Sequence, residues 1–312
     1  MRTLDEAGCQ GEGEPAMNEG LERIALSTGV MLAVRMAGPR EADPILFLHG
    51  FPESHRTWRH QVADLSRDHF CVAPDQRGFG ASDKPGAVKA YKTDRIIEDL
   101  IALADQLGIG RFTLVGHDWG GAASWLAALR HPDRVVRLVI VNAPHPLIFQ
   151  KSLIDDPEQR AASQYIRAFR NPLMETGVRA MGLERFFEKS FGAHVDLARI
   201  PEEEKQAYLR DWGREGALTA MLNWYRASNI KVPKTGRRAM KPLWTHAPFP
   251  KLKMPVLVVW GMKDKALLPV QLEGLDALVD DLALVRVEDA GHFVPWEKPD
   301  AVTGAIRDFL ST

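Results

Sequence analysis

Cysteine is nearly missing from this chain: 312 residues hold only Cys9 and Cys71, too few for a disulfide framework. That scarcity fits a reducing compartment. An excess of either charge is missing too, with 40 Lys and Arg against 41 Asp and Glu and a net charge of −1. A nucleic-acid partner would call for a basic surplus, so none is expected. No apolar run approaches the length of a membrane span. The opening MRTLDEAGCQGEGEPAMNEG lacks the basic start and apolar stretch of a secretory signal. These absences read as a soluble, cytoplasmic protein with no membrane partner. Internal repeats are absent. Residues 1–18, rich in Gly and Glu, read as a disordered tail, with Met17 a candidate true start.

With 45% hydrophobic residues, the chain can fill one large domain, or a core domain with an insertion. Short β-branched runs bounded by Gly, Pro or Asp read as buried strands at residues 45–48, 70–73, 112–115, 136–141, 256–260 and 282–287. Helical patterns lie between them at 93–107 and 119–129, and another at 300–310 closes the chain. Strand–helix alternation predicts a mostly parallel, doubly wound α/β sheet covered on both faces. Residues 21–26 and 30–36 alternate in polarity and predict an antiparallel edge hairpin. The alternation stops between about His145 and Leu243. Consecutive helices are expected there at 156–169, 183–191, 201–212 and 215–227. The expected organisation is a core of 19–144 and 245–312 interrupted by a helical cap at 145–244.

Five motifs follow predicted strands and should converge at the carboxyl edge of the sheet, where such folds bind ligands. They begin at His49, Asp75, Gly116, Trp260 and Asp289. The third, in LVGHDWGGAASW, has the spacing of a nucleophile elbow, with Asp118 where a serine would stand. Gly116 and Gly120 remove side chains that would collide across so sharp a turn. Asp118 then projects at a helix N-terminus, whose dipole favours an anion. A serine there needs a base to activate it, whereas a carboxylate is already ionised at neutral pH. The order Asp118, Asp264, His292 is that of nucleophile, acid and base. Asn142, at the alternative acid position, cannot carry the charge.

The segments HGFPES, GHDWGG, NWYR and GHFVPWEKP together resemble the epoxide hydrolases of the α/β-hydrolase fold, over roughly residues 22–310. The resemblance implies an α/β-hydrolase core under a helical cap. It implies attack by Asp118 on an sp³ carbon, giving an ester that His292, oriented by Asp264, hydrolyses through water. It also implies an oxyanion hole from the backbone N–H groups of Phe51 and Trp119, and ring-opening acids in Tyr225 and Tyr165. Tyrosine is scarce, with four in the chain, and Tyr208, the third in the cap region, matches no motif. His49, Gly50, Pro52, Gly116, His117 and Gly120 would shape the site. No cofactor or metal is implied. The partners implied are an epoxide and water, with the chain a monomer or homodimer.

Dehalogenases with the same nucleophile are the neighbouring reading. Phe51 and Trp119 stand where those enzymes carry Asn or Arg, which favours the epoxide. A hydrolase-fold receptor without turnover is a third reading, opposed by the intact Asp–Asp–His set. Plainer roles also exist for single residues. Asp118 would serve as an ordinary helix cap, Asp264 as the cap of a helix near Leu267, and Tyr225 as a core tyrosine. Asp75, Arg77 and Asp83 read as loop-shaping, and Glu202–Lys205 as a solvated helix face.

Overall fold

The computed structural model describes residues 20–236 and 240–312. The expected tail at 1–18, Cys9 and Met17 lie outside the described residues. The chain opens with the hairpin β1 (Leu21–Ala25) and β2 (Met31–Ala37). It continues through β3 (Pro44–Leu48), α1 (Arg59–Leu65), β4 (Phe70–Pro74), α2 (Thr93–Gln106), β5 (Phe112–His117), α3 (Asp118–Arg130) and β6 (Val135–Val141). The eight-stranded sheet has the order β1-β2-β4-β3-β5-β6, completed by β7 (Val256–Gly261) and β8 (Leu282–Val287). Only β2 runs antiparallel to its neighbours, β1 and β4; the other pairs are parallel.

The inner strands β3 to β7 are mostly apolar because both faces of the sheet are covered there. Side chains alternate across it, so Ile45 and Phe47 join one apolar layer while Leu46 and Leu48 join the other. One layer is completed by α1 and by α12 (Pro299–Leu310), through Val62, Leu65, Val302 and Ile306. The other is completed by α2 and α3, through Ile96, Leu100 and Trp125. β8, at the edge, is the least buried strand of the parallel part.

Between β6 and β7 the chain leaves the sheet, and the described residues there form seven α-helices: α4 (Pro146–Asp155), α5 (Pro157–Ala162), α6 (Gln164–Phe169), α7 (Met174–Met181), α8 (Leu183–Phe191), α9 (Glu202–Trp212) and α10 (Ala217–Ala227). α11 (Val294–Glu297) precedes α12. The single helix expected at 156–169 is two. Ser163, at φ −91° and ψ 7°, breaks it, and the Gln159 amide donates to the Ser163 hydroxyl at 2.9 Å. Serine competes for backbone partners and favours such junctions. α4 and α7 were not anticipated. Pro146 opens α4, and at the first turn of a helix it costs no hydrogen bond.

The charged run at 202–205 is not simply solvated. Glu204 is buried, and its carboxylate accepts from Arg56 Nη1 at 2.7 Å, tying α9 to the segment after β3. The helical pattern alone hides this, because the partner lies 148 residues away.

Candidate active site

β5 delivers the chain to Asp118, which begins α3 with a φ of +48°. A non-glycine residue held there costs about 1–3 kcal/mol, supplied by the surrounding packing. Gly120 allows the tight start of α3: a Cβ on it would lie 2.3 Å from the Leu48 carbonyl oxygen. Gly50 likewise makes room for the carboxylate, since its Cβ would lie 2.5 Å from Asp118 Cβ.

The carboxylate has two distinct oxygens. Oδ1 accepts the Phe51 backbone N–H at 2.8 Å, while Oδ2 lies 3.7 Å from His292 Nε2. The other ring nitrogen, His292 Nδ1, is 2.7 Å from Asp264 Oδ2. Asp264 is buried, and its Oδ1 accepts the N–H groups of Ala266 and Leu267 at 2.8 and 2.9 Å. It therefore caps the turn and faces the histidine at once. Burial would raise its pKa, but the His292 charge and these donors outweigh burial and hold it below the usual range. Burial would likewise lower the His292 pKa. The carboxylates of Asp264, Asp118 and Glu53 outweigh that and hold it at about 9.

Two buried residues to which the sequence assigns no role complete this set. Asn142 donates its amide to Asp264 Oδ2 at 2.8 Å and accepts the Gly261 N–H at 2.8 Å. Its φ of +40° at the end of β6 aims it there. Where a charge could not serve, an amide supplies the carboxylate with a donor. Glu53, inside HGFPES, lies 2.8 Å from His117 Nδ1, and His117 Nε2 lies 2.8 Å from the His292 carbonyl oxygen. Burial would raise the Glu53 pKa; the His117 charge and hydrogen bond prevail and lower it. His117 thus links the loop after β3, the elbow and the histidine loop. His49 Nε2 accepts the Gln76 N–H at 3.0 Å, and the Pro52 carbonyl accepts the Trp212 indole N–H at 2.9 Å.

The loop motif at 75–83 is structural in its contacts. Asp75 accepts from His55 and Ala81, Asp83 from the Met31 N–H, and Arg77 forms a two-pronged pair with Asp99.

Above the carboxylate, the cap contributes Tyr165 from α6 and Tyr225 from α10. Both line a cavity of about 490 Å³ together with Asp118 and Trp119. Their ring centroids are 6.1 Å apart, and Tyr225 packs edge-on against Phe51 at 5.0 Å and Trp119 at 5.1 Å. Burial, then the nearby Asp118 charge, pushes both phenols well above their ordinary pKa, so both stay protonated. Tyr208 sits apart, in an aromatic cluster with Phe187, Phe191, Trp212 and Trp296. Of the other cap aromatics, Trp224 lines the cavity, whereas Phe186 packs on Trp212 in that cluster.

A parallel sheet, an elbow and an acid–histidine pair at the strand ends define a hydrolase of the α/β class. The chain matches the α/β hydrolase fold family over residues 43–299. It is 32% identical to epoxide hydrolase 3 of Xenopus tropicalis over 91% of this chain and 75% of that one. It is 30% identical to epoxide hydrolase A of Mycobacterium tuberculosis over 93% and 97% of the two chains. A solved structure of an epoxide hydrolase from hot-environment metagenomes shares 49% identity and a TM-score of 0.86, covering 93% of this chain and 98% of that one. An inhibitor complex of the Bacillus megaterium epoxide hydrolase shares 30% identity and a TM-score of 0.79, covering 93% of this chain and all of that one. The chain belongs to the epoxide hydrolases of the α/β hydrolase fold.

Proposed function

We propose that this enzyme opens epoxides to vicinal diols through an ester on Asp118. The observation that carries the proposal is one cavity with a carboxylate on its floor and two protonated phenols facing it. In the first step an Oδ2 electron pair attacks an epoxide carbon and the carbon–oxygen bond breaks. Tyr165 and Tyr225 hold the leaving oxygen, and one of them gives it a proton. Oδ1, already on the Phe51 N–H, becomes the ester carbonyl oxygen.

In the second step His292 takes a proton from water, and the water oxygen attacks the Asp118 carboxyl carbon. Negative charge gathers on Oδ1, where the N–H groups of Phe51 and Trp119 stabilise it. Collapse expels the diol oxygen, which takes the proton from His292. The proton left on the Asp118 carboxyl group returns to the phenolate. In this reading residues 145–244 serve as the cap and 19–144 with 245–312 as the core.

Single turnover of styrene oxide in ¹⁸O-water tests the scheme. The label is expected in Asp118 and not in the first diol released. Label in that first diol would show direct hydration and overturn the ester route.

The protonation of His292 gives a second expectation. In the resting enzyme two carboxylates face it, and its pKa stands at about 9. Alkylation removes the Asp118 charge, so the pKa of His292 falls in the intermediate and the ring is freed to act as a base. A base works only when unprotonated. Decay of the ester should therefore rise with pH, with a midpoint below about 9. Ester formation should persist at lower pH, where decay stalls. Rapid quench with mass spectrometry of the adduct measures both, and decay that is flat or falls with rising pH would refute the role of His292.

A further inference from the structure

Between α5 and the loop after β7 lies a buried polar cluster that the two reaction steps do not use. Gln159 on α5 is fully buried, as are Ser163 and Gln271. A glutamine amide has two donor hydrogens and two acceptor lone pairs, and here every one is taken. Nε2 donates to the Ser163 hydroxyl at 2.9 Å and to the Ala266 carbonyl at 2.8 Å. Oε1 accepts the Leu268 N–H at 2.8 Å and the Gln271 amide at 3.0 Å. A carbonyl only accepts and a backbone N–H only donates, so these partners fix which way the amide faces. Two of them lead to reacting groups. Ser163 is the junction at which α6 begins, and Tyr165 stands two residues on. Ala266 and Leu267 share one peptide group: its C=O accepts from Gln159, and its N–H donates to Asp264 Oδ1 at 2.9 Å.

We propose that Gln159 is a positioning residue that sets Tyr165 and Asp264 against one another, the first through Ser163 and the second through the Ala266–Leu267 peptide. A hydrogen bond to the carbonyl end of a peptide polarises the whole group, so its N–H becomes a stronger donor. Gln159 therefore strengthens a bond that holds the negative charge of Asp264, without touching the carboxylate. The same amide ties the start of α6 to that loop, so the phenol of Tyr165 and the acid–histidine pair keep one register across the cavity. Leu267, in the gripped peptide, lines the cavity with Tyr165 and Asp118. The ionisable groups around His292 are Asp118, Asp264, Glu53, His117, His194 and Glu297. A change at Gln159 removes none of them, so a shift in the titration of His292 reports on Asp264 and its donors. The effect on rates rests on the proposed epoxide activity; the effect on the Asp264–His292 pair does not.

Two variants of the full chain test this. Gln159→Met keeps the length of the side chain and removes all four bonds. Gln159→Glu keeps the acceptor for Leu268 and Gln271 and loses the amide donors to Ser163 and Ala266, so it should fold even where Gln159→Met does not. With styrene oxide and rapid quench, ester formation and ester decay should each slow about tenfold per folded molecule. The pH midpoint of decay should rise by about half a unit, because an Asp264 with a weaker donor holds the His292 proton more firmly. In the free enzyme the His292 Nδ1 proton, on its 2.7 Å bond to Asp264, should move in the ¹H spectrum. Wild-type rates and midpoint in a folded variant, or a loss confined to thermal melting, would overturn the proposal. Slowing of one step alone would overturn it too, because Gln159 would then serve one group and not both. The proton resonance needs no substrate, so an unmoved resonance counts against the positioning role by itself. A wild type that forms no adduct would count against the epoxide reading instead.

Discussion

Asp118→Asn is expected to lower diol formation by at least about 10⁴-fold and to leave no adduct on the protein. The substitution preserves size, and the amide oxygen can still accept the Phe51 N–H now held by Oδ1. What it removes is the negative charge and the electron pair on Oδ2. Asp264, the other carboxylate in contact with His292, is occupied by His292, Asn142 and two backbone donors. The checks are steady-state diol release, intact-protein mass after substrate, and thermal melting to show an unaltered fold. Sustained turnover in a preparation whose mass excludes deamidation would remove Asp118 from the mechanism.

The second large effect belongs to the cap. Tyr165→Phe with Tyr225→Phe should slow ester formation from epoxides by about 10³-fold or more, within the range for losing general acids. Tyr225 packs against Phe51, Trp119 and Phe169, and Tyr165 against Phe169, so phenylalanine keeps the contacts and removes only the hydroxyls. A halide needs no proton to leave, so ester formation from a reactive alkyl halide should survive in the same variant. That contrast separates loss of an acid from damage to the cavity. Unchanged epoxide turnover would rule out the acid role, and equal loss with both substrates would point to packing. The two single variants need not add to the double, because both phenols serve one oxygen atom.

Much of the site was legible because its signals are local. The elbow needs small residues at fixed offsets, and Gly116, Asp118 and Gly120 occupy them. Asp264 and His292 each follow a strand within a few residues, at the same edge of the sheet. Tyr165 and Tyr225 came forward on motif resemblance, and the structure brings both to the cavity that Asp118 lines. Tyr208, which matched nothing, lies in a separate aromatic cluster.

The less legible features depend on pairs distant in sequence. Asn142 was read as lacking a charge, whereas its partner, 122 residues on, makes it a donor to Asp264. Glu204 looked like one of three exposed acids, and Arg56 buries it. The break at Ser163 comes from the backbone geometry of one residue, which apolar periodicity does not register.

The sequence by itself determined which runs form a mostly parallel sheet, where the elbow falls, and that a carboxylate replaces the serine. Apolar periodicity and turn chemistry decide those features within a dozen residues. The tertiary structure alone decided which oxygen of Asp118 meets the Phe51 N–H and which faces His292. It also decided which tyrosines look into the cavity and how the histidine acquires a pKa of about 9. Those properties come from distances between elements and from the water that packing excludes, and neither is written in any local stretch of the chain.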